Sequence, residues 1–95
     1  MSYAWIITED KIDQGTAIGV IGPSDAPKDM CEQLKSGEGR TFRMLDDDDK
    51  VYYKGRIIAD DPGSEEDFGP LDDYGTPNAG CMSIEYRENG SWQPL

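Results

Sequence analysis

Apolar positions along this chain recur mostly with the two-residue period of a strand and once with the period of a helix. Tyr3–Thr8 is aromatic and β-branched, with Trp5 and Ile7 on one face and Ala4 and Ile6 on the other. Both faces are apolar, which predicts a central strand. Glu9–Gly15 is polar and reads as a connection, and Ala17–Ile21 reads as a second strand closed by Gly22-Pro23. Ser24 or Asp25 can then cap a helix. Pro27 is tolerated in its first turn, because a proline's missing N–H would be unpaired there. Pro27, Met30, Cys31 and Leu34 share one helical face and Gly37 and Gly39 end it, so a short helix is expected from Pro27 to about Lys35.

Arg40–Asp46 and Lys50–Ile58 predict a hairpin. A loop of Asp47-Asp48, or of Asp46–Asp49, gives one register, with Met44 opposite Val51 and Phe42 opposite Tyr53. Those four face inward, and Arg43, Tyr52 and Lys54 face out. Ala59–Asn78 is rich in turn formers and has no periodicity, so it reads as a long loop pinned by Phe68, Leu71 and Tyr74. A connection of that length in a compact domain is usually functional or disordered. Cys81–Glu88 alternates again, with Met82, Ile84 and Tyr86 on one face. Asn89-Gly90 is a strong hairpin signal, since both residues accept the positive φ of a type I′ turn. Ser91–Leu95 would pair back, with Ile84 opposite Leu95. The same register sets Trp92 beside Arg87, which implies a cation–π contact or a sheet covered on both sides. Residues 1–95 therefore read as a single domain of the α+β class, mainly antiparallel β. A small hairpin sheet or partial barrel with one short helix is expected.

Composition narrows the function classes. Two Trp, five Tyr and two Phe are too many aromatics for a disordered acidic tail, so the chain should fold. It contains no apolar run of membrane-spanning length and no signal-peptide pattern at its start, so a cytoplasmic address is expected. In that setting Cys31 and Cys81 read as reduced thiols, whereas an oxidising compartment would leave a disulfide open. Cys31 falls on the apolar helix face. Cys81 follows Asn78-Ala79-Gly80, which is flexible enough to expose it. There is no histidine, which removes Ser-His-Asp and Cys-His catalysis together with the usual zinc sites. No enzyme activity, cofactor or resident metal is expected.

The strongest remaining feature is acidity. Eleven of the twenty carboxylates lie between Asp46 and Asp73, opposed there only by Lys50, Lys54 and Arg56, so that stretch carries −8 of the chain's −11. Spread evenly, −11 over roughly 5,500 Å² is one charge per about 500 Å², too dilute to resemble nucleic acid. Clustering changes that, because alternate residues on a strand lie about 6.6–7 Å apart, close to phosphate spacing. The candidate partner-binding residues are therefore Asp46, Asp47, Asp48, Asp49, Asp60, Asp61, Glu65, Glu66, Asp67, Asp72 and Asp73. Tyr52, Phe68 and Tyr74 would supply apolar contacts among them.

The partner implied is a basic protein surface, of the kind a nucleic-acid-binding protein presents. Neither nucleic acid itself nor a membrane suits this charge. Acidity that serves solubility alone is the competing expectation. A weak divalent-cation site at Asp46–Asp49 is a third, although Lys50 stands where an EF-hand loop needs a ligand and the loop lacks the central glycine.

Two stretches carry a resemblance. Phe42-Arg43 through Asp46–Asp48 to Tyr52-Tyr53-Lys54-Gly55-Arg56 is one; Pro70-Leu71-Asp72-Asp73-Tyr74-Gly75 through Ala79-Gly80-Cys81 to Ile84-Glu85-Tyr86 is the other. Together they cover about half the chain and resemble a group of small uncharacterised bacterial proteins. The resemblance implies a bacterial or phage origin and a stand-alone domain, and it brings no catalytic residues. Small acidic β proteins also occur among phage-encoded inhibitors such as anti-CRISPRs, which is the type of inhibitor the mimicry expectation describes.

Overall fold

The computed structural model describes residues 2–95. Aromatic and β-branched Tyr3–Asp10 forms β1, and the short pair Ile21–Gly22 forms β2. Helix α1 covers Lys28–Lys35, and strands β3 and β4 cover Arg40–Leu45 and Val51–Ala59. A helical turn α2 at Thr76–Ala79 precedes β5 (Ser83–Glu88) and β6 (Ser91–Pro94). All pairings are antiparallel in one open sheet of order β2-β1-β4-β3-β5-β6. The fold is α+β, and its unpaired edges exclude a closed barrel.

Because side chains alternate across a strand, β1 feeds two cores. Trp5 and Ile7 join Phe42, Met44, Tyr53, Ile57, Ile84 and Tyr86 on one face, under residues 60–82. Ala4 and Ile6 pack on the other face against Met30 and Leu34 of α1. Helix α1 begins directly after Pro27, which occupies the N-cap, so neither Ser24 nor Asp25 caps it. Its other end is tied to the sheet, where Arg56 Nη2 donates to the Leu34 carbonyl at 2.7 Å.

From Tyr53 onward the β3–β4 hairpin keeps its expected faces, with its register shifted by two residues. Met44 pairs with Tyr53 and Phe42 with Gly55. The loop is longer than expected, Asp46–Lys50, with Asp46 N–H donating to the Lys50 carbonyl. Gly55 accounts for the register, since a Cβ there would collide with the Ile6 carbonyl and the Phe42 ring. A shift of two leaves the side chains from Tyr53 onward on their own faces, whereas Val51, expected inward, pairs with Leu45 and joins neither core. One extra residue, Tyr52, then stands between the Leu45–Val51 and Met44–Tyr53 pairs. It packs against the core, although alternation predicts it outward.

The expected strand Ala17–Ile21 does not form: Ile21–Gly22 pairs with β1 as a strand, while Gly19 and Val20 reach Ile7 by backbone hydrogen bonds from a turn. Asp10 winds the intervening residues into turns: its carboxylate accepts from the N–H groups of Ile12, Asp13 and Ala17 at 2.9–3.0 Å. Gln14, Gly15 and Gly19 all take positive φ there, which no strand permits.

Ala59–Asn78 is not a structureless loop. Ala59 ends β4, Glu65–Phe68 forms a 3₁₀ turn, and Leu71–Gly75 a π turn that runs into α2. Leu71 and Tyr74 pin it as expected, whereas Phe68 is 39% exposed. At the C-terminal hairpin Asn89 and Gly90 both take positive φ, and Arg87 pairs with Trp92 as the sequence predicts. Leu95 N–H donates to the Ile84 carbonyl, so Pro94 falls where an N–H would point off the sheet edge. Its missing donor blunts that edge against further strand pairing. Met82 departs from the expected inward face and is 66% exposed, because β5 starts only at Ser83. No helix among the described residues is long and apolar enough to cross a membrane.

Candidate interaction surface

The structure divides the eleven acidic candidates into two groups. Asp46–Asp49 form the β3–β4 tip, and Asp60 and Asp61 follow the far end of β4. Nine residues of β4 separate them, about 27 Å at strand rise, against a longest molecular dimension of 35 Å. The tip therefore does not converge with the rest. Asp60, Asp61, Glu65, Glu66, Asp72 and Asp73 do belong together, on the layer that covers the Trp5 face. Asp61 N–H donates to Glu66 Oε1, and Asp60 Oδ2 accepts from Ser2 N–H beside Tyr3. Tyr3 in turn donates to Asp73 Oδ2 at 2.7 Å, which also takes the Trp5 indole N–H at 3.0 Å. These acids sit on turns, not on a strand, so the even strand spacing expected for them is not realised.

Asp67 leaves the candidate surface altogether. It is 1% exposed and holds Arg40 through both oxygens, Nη1 to Oδ1 at 2.8 Å and Nη2 to Oδ2 at 3.0 Å. Oδ2 also accepts from Gly63 N–H, and the Tyr86 hydroxyl donates to the Asp67 carbonyl. The Arg40 guanidinium lies 4.5 Å from the centre of the Tyr86 ring. The bond to Asp67 raises the Arg40 guanidinium further above its ordinary value. This latch fastens the acidic layer to β3 and β5. Its signal in the sequence, a lone Asp beside Phe68 in an acidic run, gives no hint of burial.

Asp67 is the one member of the eleven that forms an ion pair among the described residues. The side chains of Asp61, Glu65 and Asp72 are exposed and make no hydrogen bond there either. Of the three expected aromatic contacts, Phe68 stands exposed among these acids. Tyr74 is instead committed to the core, 5.4 Å from both Trp5 and Tyr53. Tyr52 sits at the tip, where the Asp46 carboxylate bonded to its hydroxyl raises the phenol.

At the tip, Asp46, Asp47 and Asp48 bring one oxygen each within 4.8 Å of one another. Asp46 Oδ1 is already engaged by the N–H groups of Asp48 and Lys50, both at 2.8 Å. The Lys50 N–H bond is the main reason the Asp46 carboxyl lies below its ordinary range. That geometry is a self-capped turn. Cys81, expected to be open, is 1% exposed beneath it, and burial followed by the nearby Asp46 charge pushes its thiol up to about 11. Both cysteines are free thiols, and Cys31 is half-buried.

Sequence reading finds only half of one further cluster. On the sheet face that α1 leaves uncovered, the Trp92 ring lies 4.5 Å from the Arg43 guanidinium, 5.3 Å from Arg87 and 5.8 Å from Lys54 Nζ. The Arg87 contact follows from hairpin register. Arg43 and Lys54 join only because β3 and β4 stand next to β5. Arg43 is held by Glu85 at 2.6 Å and Lys54 by Glu9 at 3.7 Å. Arg43 and Lys54 thus have carboxylate partners, Arg87 has only the ring among the described residues, and the cluster covers an otherwise bare half-sheet. Comparison with protein-family models, with curated proteins and with solved structures finds no match for this chain.

Proposed function

We propose that this protein is a non-enzymatic binding protein whose acidic layer occupies a basic surface on a nucleic-acid-binding protein. One observation carries the reading: Asp60, Asp61, Glu65, Glu66, Asp72 and Asp73 lie on an ordered layer without one ion pair to a described cation. A charge needed only for solubility can lie on mobile or scattered positions. Here it is concentrated on turns that a buried Asp67–Arg40 latch holds in place, which lowers the ordering cost of association. Density of charge, rather than strand spacing, then supports the likeness to phosphate. Such a surface steers a basic partner into fast, salt-sensitive association, and Phe68 offers an apolar contact among the charges.

The test exchanges Asp61→Asn, Glu65→Gln and Asp72→Asn together, side chains whose removal breaks no internal hydrogen bond. Capture from host lysate at low salt should yield a nucleic-acid-binding protein that duplex DNA displaces, and the triple variant should lose it with its melting temperature unchanged. The tip variant Asp47→Asn/Asp48→Asn should retain it. Equal capture by the triple variant would leave the acidity as a solubility device.

A further inference from the structure

Residues 23–27, which lead from β2 into α1, stand off from the start of β1. They leave a cleft of about 230 Å³ lined by Ser2, Tyr3, Pro23, Asp25, Ala26 and Pro27. Its size decides the class of occupant. At about 30 Å³ per water it has room for roughly seven waters or one long side chain. Sites for nucleotide-sized ligands run to about 300–1,000 Å³.

Its chemistry is equally specific. Most of the exposed lining is polar; Pro23, Ala26, Pro27 and the Tyr3 ring supply its apolar part, and two prolines stiffen the loop that carries Asp25. Asp25 is exposed and makes no hydrogen bond or ion pair among the described residues. The charged groups that bear on the Tyr3 hydroxyl are Asp73, Asp72 and Asp25, all acidic. Asp60 adds a fourth carboxylate where it accepts the Ser2 N–H. An aromatic ring and prolines beside carboxylates suit a group with an aliphatic stem and a positive end. An anion is repelled, and a neutral apolar group would leave Asp25 desolvated.

We propose that this cleft binds one side-chain cation, the guanidinium of arginine or the ammonium of lysine, presented by a basic partner. The proposal rests on the acidic layer being the partner surface and names the pocket that anchors it. Steering charges on the layer set the encounter, and the cation seated beside Tyr3 sets the dwell time.

The experiment is an amide-shift NMR titration at low salt with three capped tripeptides, Gly-Arg-Gly, Gly-Lys-Gly and the neutral citrulline analogue of the first. The arginine or lysine peptide should shift Tyr3, Asp25 and Ala26 saturably, and the two arms show which cation fits better. Citrulline should shift nothing. Asp25→Asn should weaken binding by about threefold, the effect of one exposed ion pair. Asp72→Asn serves as a second variant should the first disturb the loop. Asp47→Asn/Asp48→Asn removes two charges, twice as many, from the distant tip and should change nothing. Equal shifts with citrulline, shifts spread over every acidic residue, or equal loss in the tip variant would each overturn the proposal. Peptide binding without any captured partner supports the cleft and sinks only the reading of the layer. Partner capture without peptide binding sinks the cleft alone.

Discussion

Asp67→Asn tests the latch that makes the acidic layer a defined surface. The native carboxylate is 1% exposed, bridges both Arg40 nitrogens at 2.8 and 3.0 Å, and takes the Gly63 N–H. An amide of the same shape keeps one acceptor and turns an NH₂ toward the guanidinium. Breaking a fully buried pair costs about 3–5 kcal/mol. Arg40 is 33% exposed, so water recovers part of that, and about 2–3 kcal/mol is expected. For a chain of this size each kcal/mol moves the melting temperature by about 4–8 °C, so a fall of roughly 10–20 °C follows. Urea unfolding would give the free energy. Hydrogen exchange should show protection lost first across residues 60–80, with β1 and β4 amides least affected. Tyr86→Phe, which deletes the hydroxyl bond to the Asp67 carbonyl, should cost about 1 kcal/mol alone and less in the Asp67→Asn background. A loss under about 0.5 kcal/mol for Asp67→Asn, the cost of a surface carboxylate, would refute the latch.

Trp92→Ala should cost about 1–2 kcal/mol in urea unfolding, because it strips the ring shared by Arg43, Arg87 and Lys54; an unchanged midpoint would show that the ring covers nothing of consequence. Asp10 gives a pH signature. Burial alone would raise its carboxyl, but the Ala17, Ile12 and Asp13 N–H groups outweigh that and hold it below the ordinary range. A depressed carboxyl contributes stability that is complete above the unfolded value of about 3.9 and is lost as pH falls through the folded value. Wild type should therefore exceed Asp10→Asn most above about pH 5, with the gap closing in acid; a gap independent of pH contradicts the capping role. A thiol reagent near pH 8 should modify Cys31 in the native protein and spare Cys81 until denaturant is added, since burial holds the Cys81 thiol at about 11. Two equally fast reactions would contradict the burial of Cys81.

What the sequence determines by itself is what depends on neighbours along the chain. Alternation gave β1 two buried faces, helical spacing gave Lys28–Lys35 its helix, and the Asn89-Gly90 turn gave the register that sets Trp92 beside Arg87. Asp46 as a turn former also belongs to this class, since its partners Asp48 and Lys50 lie within four residues. Tertiary structure decided the rest, because the deciding partners are far apart in sequence. Gly55 chose the β3–β4 register only because the Phe42 ring and the Ile6 carbonyl press on it. Asp10 turned an expected strand into turns by capturing Ala17 N–H, seven residues on. Asp67 reads as one more surface acid until Arg40, twenty-seven residues away, buries it. The cleft likewise needs Tyr3 and Asp25 side by side, which composition cannot express. Local hydrogen-bonding and periodicity fix elements, whereas the pairing of charges and the shape of empty space depend on which elements the sheet order brings into contact.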